Sequence, residues 1–393
     1  MRSPLRTAVS VAGCVVALAA TAGAAQAASV RPLSLSASSS SSKLQATPAV
    51  APVPARPADR LGVSSHFVWF SESYINAEMQ RIRASGVHWV RDDFNWNLIE
   101  ARRGTYDWTR TDNVMTASAK NGVEVLAILT FSPSWASTDP SGAGDRNFPP
   151  SDPADYARFA AAVAARYGAH GAFWAQHPEL VARPLTAVEL WNEPWGKWAW
   201  RPNPSPAAYA RLARGAAAAV RATDPAMRIL LPADLLQVRT DGTIVPWFET
   251  LLKVDPTLLR LVSALSVHPY PGPREKSPLD DSNPRWAYSR VLAARTLAMA
   301  RGYVRPVWIT EIGWSSADPS AGGVGEAQQA IYLRAAVNRA FTEWQSFVPH
   351  VFVYTWSRGT GTPSDWDGNL ALLGPDGSPK PAWAALQGLL GAV

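Results

Sequence analysis

Two short segments carry residue types that could break a glycosidic bond. Trp191-Asn192-Glu193-Pro194 ends an apolar, β-forming run from Leu185 to Trp191, and Thr310-Glu311-Ile312-Gly313-Trp314 ends another from Pro306 to Thr310. Cleavage with retention of configuration needs one carboxylic acid to protonate the leaving oxygen and a second carboxylate to attack the anomeric carbon, held about 5 to 5.5 Å apart. Glu193 and Glu311 are too distant in the chain to form a local pair. They can meet only if both runs are strands of one closed sheet.

The elements that would bring them together are legible. Short β-branched or apolar runs alternate with Ala- and Arg-rich amphipathic stretches, the pattern of parallel strands joined by crossover helices. Strands are predicted at Leu61 to Phe67, Val87 to Arg91, Val123 to Leu129, Leu185 to Trp191, Met227 to Leu231, Val262 to Val267, Pro306 to Thr310 and His350 to Thr355. A helix is expected after each, the clearest being Pro153 to Tyr167, Pro206 to Ala222, Ala327 to Phe341 and Pro381 to Leu390. The fold class expected is α/β, a single (β/α)8 TIM barrel, whose functional groups sit at the C-terminal ends of its strands. Long loops after strands three, four, six and eight, rich in Pro and Gly, would wall a cleft there.

With both motifs at strand ends, the chain resembles the clan A glycoside hydrolases, the four/seven superfamily that includes families 5, 39 and 53. The likeness runs from about Leu61 to Leu390. It implies that Glu193 is the acid/base and Glu311 the nucleophile of a retaining mechanism, and that Asn192 bonds the 2-hydroxyl of the sugar at the cleavage point. His268-Pro269-Tyr270, after the sixth strand, matches the clan's nucleophile-orienting residues, with Tyr270 the partner of Glu311 and His268 in contact with either glutamate. Arg91 matches the strand-two arginine that keeps the nucleophile ionised; its alternative is a salt bridge with Asp92 or Asp93. Trp356, ending strand eight, matches an aromatic platform under the cleaved sugar.

Tryptophan is abundant, at 18 residues, and flat aromatic faces stack on sugar rings while excluding water. Trp195, Trp314 and Trp135 join the substrate-binding candidates, together with the loop aromatics Phe131, Trp198 and Trp200; for these loop residues a plain hydrophobic cluster is an equal alternative. Glu189, four residues before Glu193 on the same strand, is expected to point deep into the barrel and pair with a basic side chain. Asp365-Trp366-Asp367-Gly368-Asn369 lacks the closing Glu of a calcium loop and reads as a turn. The six histidines show no metal-ligand spacing, so no metal or cofactor is expected.

The termini frame this body. Arg2 and Arg6, an apolar run from Ala8 to Ala24 and Ala25-Gln26-Ala27 form the layout of a cleaved secretory signal over residues 1–27. Residues 28–58, with a serine run at Ser38 to Ser42, form a Ser/Ala/Pro spacer, and residues 59–393 the catalytic domain. The only cysteine, Cys14, lies in the signal; Val11-Ala12-Gly13-Cys14 resembles a lipobox that would anchor the protein through lipid, although the apolar run continues past it. No later run is long enough to span a membrane. A net charge of +6, carried by scattered arginines, argues against nucleic acid. The expectation is a secreted, extracellular, monomeric enzyme with a carbohydrate substrate, its aromatic loops leaning toward endo action. A transglycosylase using the same glutamates, or a carbohydrate-binding pseudoenzyme, are the alternatives.

Overall fold

The computed structural model describes residues 53–54, 56–238 and 243–391. The signal, Cys14, almost all of the spacer and the final two residues lie outside the described residues. The described residues belong to one compact unit.

Eight parallel strands close a barrel: β1 (Leu61–Ser64), β2 (Trp89–Asn95), β3 (Glu124–Thr130), β4 (Ala187–Leu190), β5 (Arg228–Pro232), β6 (Ala264–Val267), β7 (Val307–Ile312) and β8 (Val351–Val353). Each pairs with its sequence neighbours, and β8 returns to β1 with Leu61 opposite Val351. The (β/α)8 expectation therefore holds, with all eight predicted strands present, most of them shortened or shifted by a few residues and the second and seventh extended at their C-terminal ends, so that Glu311 lies within the seventh. They were readable because a strand covered on both faces is apolar at nearly every position, as in the wholly buried β1, β4 and β6.

The helices form where the sequence offers caps. Pro153–Tyr167 begins with Pro at its first turn, where a missing N–H costs nothing, and Asp152 accepts from the backbone N–H of Ala154 at 2.9 Å. Pro206–Thr223 starts in the same way, with Ser205 accepting from Ala208 at 3.2 Å. Buried alanines on both, among them Ala160, Ala164, Ala213 and Ala217, let the two helices pack closely. A short antiparallel hairpin, Leu236–Val238 with Ile244–Pro246, follows β5 and was not predicted.

Inside the barrel, the layer nearest the N-terminal end of the strands is apolar: Trp89, Leu126, Ala187, Leu230, Ala264, Trp308 and Phe352. Gly62 on β1 makes room for it, since a Cβ there would lie 2.5 Å from the ring of Phe352. The Arg228 guanidinium lies over Trp89 and Trp308, and His350 packs 4.0 Å from the Trp308 ring centre. This plug forces any ligand to enter from the opposite mouth. Among the described residues, no helix is long and apolar enough to cross a membrane.

Candidate active site

Above the apolar plug the barrel interior turns polar. Arg91 on β2 lies two residues beyond Trp89 on the same inward face, and Glu189 on β4 two beyond Ala187. The Arg91 Nε donates to Glu189 at 2.8 Å, its Nη1 to Glu311 at 3.0 Å and its Nη2 to the Asn192 Oδ1 at 2.7 Å. Burial opposes its charge, but the two carboxylates outweigh burial and hold the guanidinium firmly ionised. The basic partner expected for Glu189 is thus Arg91, and Asp92 and Asp93 are engaged elsewhere. Arginine has only donors, so the oxygen of the Asn192 amide must face it, which leaves the NH2 group turned away as a donor.

Glu311 reaches the mouth through an irregularity in β7. Val351 of β8 pairs with Ile309, but Val353 pairs with Ile312, so three residues of β7 oppose two of β8. Simple alternation would send Thr310 inward and Glu311 outward. The extra residue lets both face the interior, as bulges beside functional sites do. Thr310 donates to Glu189 at 3.0 Å, while Glu311 takes the Arg91 contact and accepts from the Tyr270 hydroxyl at 2.8 Å. Burial, followed by the charge of Glu311, raises Tyr270 far above its ordinary pKa and keeps it a donor.

Glu193 is aimed by a different device. Trp191 and Glu193 both adopt positive φ, 73° and 44°, where the chain turns sharply off β4. That backbone is unfavourable for residues with a Cβ and is characteristic of functional sites. His268 Nδ1 lies 2.9 Å from Glu193 Oε1, and the indole N–H of Trp198 donates to Glu193 Oε2. Trp198 can fold back so far because residue 196 is glycine: a Cβ there would stand 2.2 Å from the indole. Burial pushes the Glu193 carboxyl up, yet the bond and charge of His268, with the Trp198 donor, hold it below the usual carboxylate range.

His268 itself is raised. Burial lowers it, but the charge of Glu311 and the bond to Glu193 prevail. His268 Nε2 lies 3.1 Å from the Thr310 hydroxyl oxygen, which gives its proton to Glu189, and 3.3 Å from Arg91 Nη2, whose charge opposes that of the ring. Arg290, buried at the start of helix Arg290–Met299, donates to the carbonyls of His268 at 2.6 Å and Tyr270 at 2.5 Å while paired with Asp234 at 2.9 Å. It fixes the loop that carries both residues.

The pair itself is close. An oxygen of Glu193, an oxygen of Glu311 and a ring nitrogen of His268 all lie within 4.8 Å of one another. The same closeness could suit a cation, but the fixed positive charge of Arg91 on Glu311 opposes one.

A family model described as Cellulase (glycosyl hydrolase family 5) matches residues 54–347. The chain belongs to glycosyl hydrolase family 5. The resemblance to clan A therefore stands on the family match as well as on the motifs. Among solved structures, this family 5 chain is similar to a family 39 glycoside hydrolase from the gut symbiont Bacteroides cellulosilyticus WH2, with TM-score 0.65 and 21% identity over 86% of this chain and 64% of that one. It thus spans less than two thirds of that protein. A monomeric beta-xylosidase from Caulobacter crescentus CB15 aligns with TM-score 0.62 and 19% identity, over 86% and 69%. A GH5_18 protein from Streptomyces cattleya in complex with GlcNAc gives 0.56 and 18%, over 86% and 80%. At these identities the likeness shows the fold. No curated protein matches the chain.

Of the ten candidate site residues, Glu193, Glu311, Asn192, Arg91, His268 and Tyr270 form one hydrogen-bonded network. The tryptophans divide differently. Trp356 is a correction: it is 4% exposed and turns away from the mouth, its indole donating to Glu78 at 2.9 Å and its ring 4.7 Å from Trp383. β8 has already ended at Val353, so the alternation that would have aimed Trp356 inward no longer operates. Trp314 is a second correction, buried with its indole on the Lys276 carbonyl and its ring beside Tyr288 and Tyr332. Trp195 is buried edge-on to His268 and braces that ring. Trp135 packs on Trp96 and donates to the Glu100 carbonyl, joining loops two and three instead of meeting the carboxylates.

Sequence reasoning missed four groups. Trp198 was seen only as a loop aromatic. His66, Asp93 and Tyr354 form a further cluster, with His66 Nδ1 2.7 Å from Asp93 and Nε2 3.2 Å from the Tyr354 hydroxyl. Their positions at the ends of strands one, two and eight were the available signal.

Proposed function

We propose that this family 5 chain is an exported retaining β-glycoside hydrolase, with Glu193 as acid/base and Glu311 as nucleophile. The observation that carries the reading is the closeness of the two carboxylates across the mouth: one oxygen of each lies within 4.8 Å of the other, compatible with the carboxyl separation of about 5 to 5.5 Å from which one can attack while the other protonates. In the first step Glu311 attacks the anomeric carbon, the bond to the leaving oxygen breaks, and Glu193 protonates that oxygen. In the second, Glu193 takes a proton from water, the hydroxide attacks the same carbon, and Glu311 leaves.

The surrounding charges fit those roles. Arg91 and Tyr270 stabilise Glu311 as an anion until it forms the ester. The Asn192 NH2, freed by the grip of Arg91 on its oxygen, is positioned to bond the sugar 2-hydroxyl as the oxocarbenium-like charge grows. His268 stands beside Glu193 as a proton source. When Glu311 is esterified, the charge that raised His268 most is gone, and the demand for a base at Glu193 arises at the same stage.

Support for endo action has weakened, because the aromatics expected to line an open cleft are largely committed elsewhere: Trp195 and Trp200 are buried and Trp135 is tied to Glu100. Export rests on the signal layout at residues 1–27, and mass spectrometry of the mature N-terminus tests it: cleavage after Ala27 is expected, and a lipidated Cys14 would overturn the soluble form.

The catalytic assignment is tested by substitution. Glu193→Ala should lose about 10² to 10⁴ in rate on glycosides with poor leaving groups, whereas on an activated aryl glycoside, which forms the glycosyl-enzyme unaided, azide should restore turnover by attacking that intermediate in the vacated space. Glu311→Ala should lose at least as much, without that rescue. Full activity in both variants would end the assignment.

A further inference from the structure

His66, Asp93 and Tyr354 have no part in the two steps above, yet they stand around the same mouth. Trp89 and Arg91 both point into the barrel, the first in the apolar plug and the second on Glu189 and Glu311. Strand alternation turns Asp93 the same way, one pleat nearer the mouth. The backbone N–H of Tyr354 donates to the carbonyl of Ile312, the residue after Glu311, at 2.8 Å, and the charge of Glu311 acts on both His66 and Tyr354, so the cluster flanks the attacking carboxylate.

The cluster is also open on one side. The side chains of His66 and Asp93 are 22% and 15% exposed. Asp93 Oδ2 is bound to His66, whereas Oδ1 accepts no hydrogen bond among the described residues and is not sealed from solvent. Burial would raise Asp93, but the charge of His66 and the bond to it, with Arg91 and Arg146 behind, keep it ionised. The contrast with its neighbour is instructive. Asp92 is fully buried and accepts from Ser65 at 2.7 Å and from the backbone of Phe67 at 2.8 Å, so it has a structural task. Asp93 is an anchored anion with a spare acceptor facing the site.

We propose that Asp93, held by His66 and Tyr354, selects a terminal sugar by accepting hydrogen bonds from its hydroxyls remote from the anomeric carbon. This rests on the retaining reading and names its substrate class: the non-reducing end of a β-glycoside. An ionised carboxylate only accepts, so it must be met by a hydroxyl that still carries its proton. An internal unit, linked through that oxygen, has no proton to offer and leaves a partly buried anion unpaired. Sites built to bond a hydroxyl discriminate against analogues lacking it by up to about 10⁴-fold or more.

The test uses the whole enzyme and 4-nitrophenyl β-D-glucoside, mannoside, xyloside and galactoside. For whichever is cleaved fastest, kcat/KM is compared with that of its 3-deoxy and 4-deoxy analogues. Wild type should lose at least about 10²-fold on one of them. Asp93→Ala should be slow on the parent and lose little more on that analogue, because the partner of the missing hydroxyl is already gone. A variant damaged only in structure would keep the discrimination. Should Asp93→Ala not fold, Asp93→Asn, which keeps the shape and removes the charge, should narrow the ratio. The proposal is overturned if wild type tolerates both analogues, if the variants discriminate as wild type does, or if a polysaccharide is cleaved while none of the four aryl glycosides is. Labelling by a 2-deoxy-2-fluoro glycoside separates the two readings: covalent modification of Glu311 in wild type upholds retention whatever becomes of Asp93, and its absence would overturn retention itself.

Discussion

Glu193 is held by two donors of different kinds. His268 brings a charge and a bond; Trp198 brings only an N–H, made possible by the close approach over Gly196. Both favour the ionised carboxyl in the free enzyme, although the first step asks it to deliver a proton. Trp198→Phe removes the neutral donor while leaving an aromatic ring. Glu193 should then hold its proton to higher pH, so the alkaline limb of the kcat/KM profile should move up on a substrate whose leaving group needs protonation. On an activated aryl glycoside, which leaves unaided, the limb should move less. An unmoved limb on both substrates would mean that the indole contact does not bear on the acid.

The strands differ in how much of their work the sequence reveals. β1 to β8 were legible because each is buried on both faces, and Asn192, Glu193 and Glu311 were legible because their motifs end such runs. What alternation could not supply was the local departure from it: the extra residue in β7 that turns Glu311 inward, and the early end of β8 that turns Trp356 outward. Tyr354, one residue past that end, takes the inward place instead, bonded to His66. These are tertiary outcomes, fixed by how β7 and β8 pair and by what helices Glu72–Ala84 and Pro381–Leu390 leave to be filled. The correction makes a prediction of its own. Trp356→Ala should cost about 3 to 5 kcal/mol of stability as a core truncation, read as a lower denaturation midpoint. Trp356→Phe should leave KM close to wild type. A large rise in KM for the phenylalanine variant, with stability retained, would return Trp356 to the substrate.

At the scale of the whole barrel, the mouth carries the charge and the opposite end carries the plug, and a titratable group lies in the plug. His350 is 2% exposed and packed against Trp89 and Trp308; among the described residues neither ring nitrogen makes a hydrogen bond of normal geometry, and the backbone of Asp59 offers only a minor favourable contact. Burial, with Arg228 and Arg60 nearby, pushes its pKa well below the ordinary value. In the unfolded chain the imidazole takes up a proton near its usual pKa of about 6.5, while in the folded protein it stays neutral to much lower pH. The unfolded state therefore binds more protons below that point, and stability falls as the pH drops through it, by up to about 1.4 kcal/mol per pH unit for one proton. Asp92 acts in the opposite sense over a lower window: burial and the charge of Asp93 push it up to about 6, so below that value the folded state is the one that gains the proton. The wild-type slope mixes the two, and a variant isolates the first. His350→Phe keeps an aromatic ring in the plug and removes the proton site, so unfolding free energy measured by denaturant between pH 7 and pH 5 should fall less steeply than in wild type. Parallel curves would mean that His350 finds a partner for its charge and that the plug tolerates protonation.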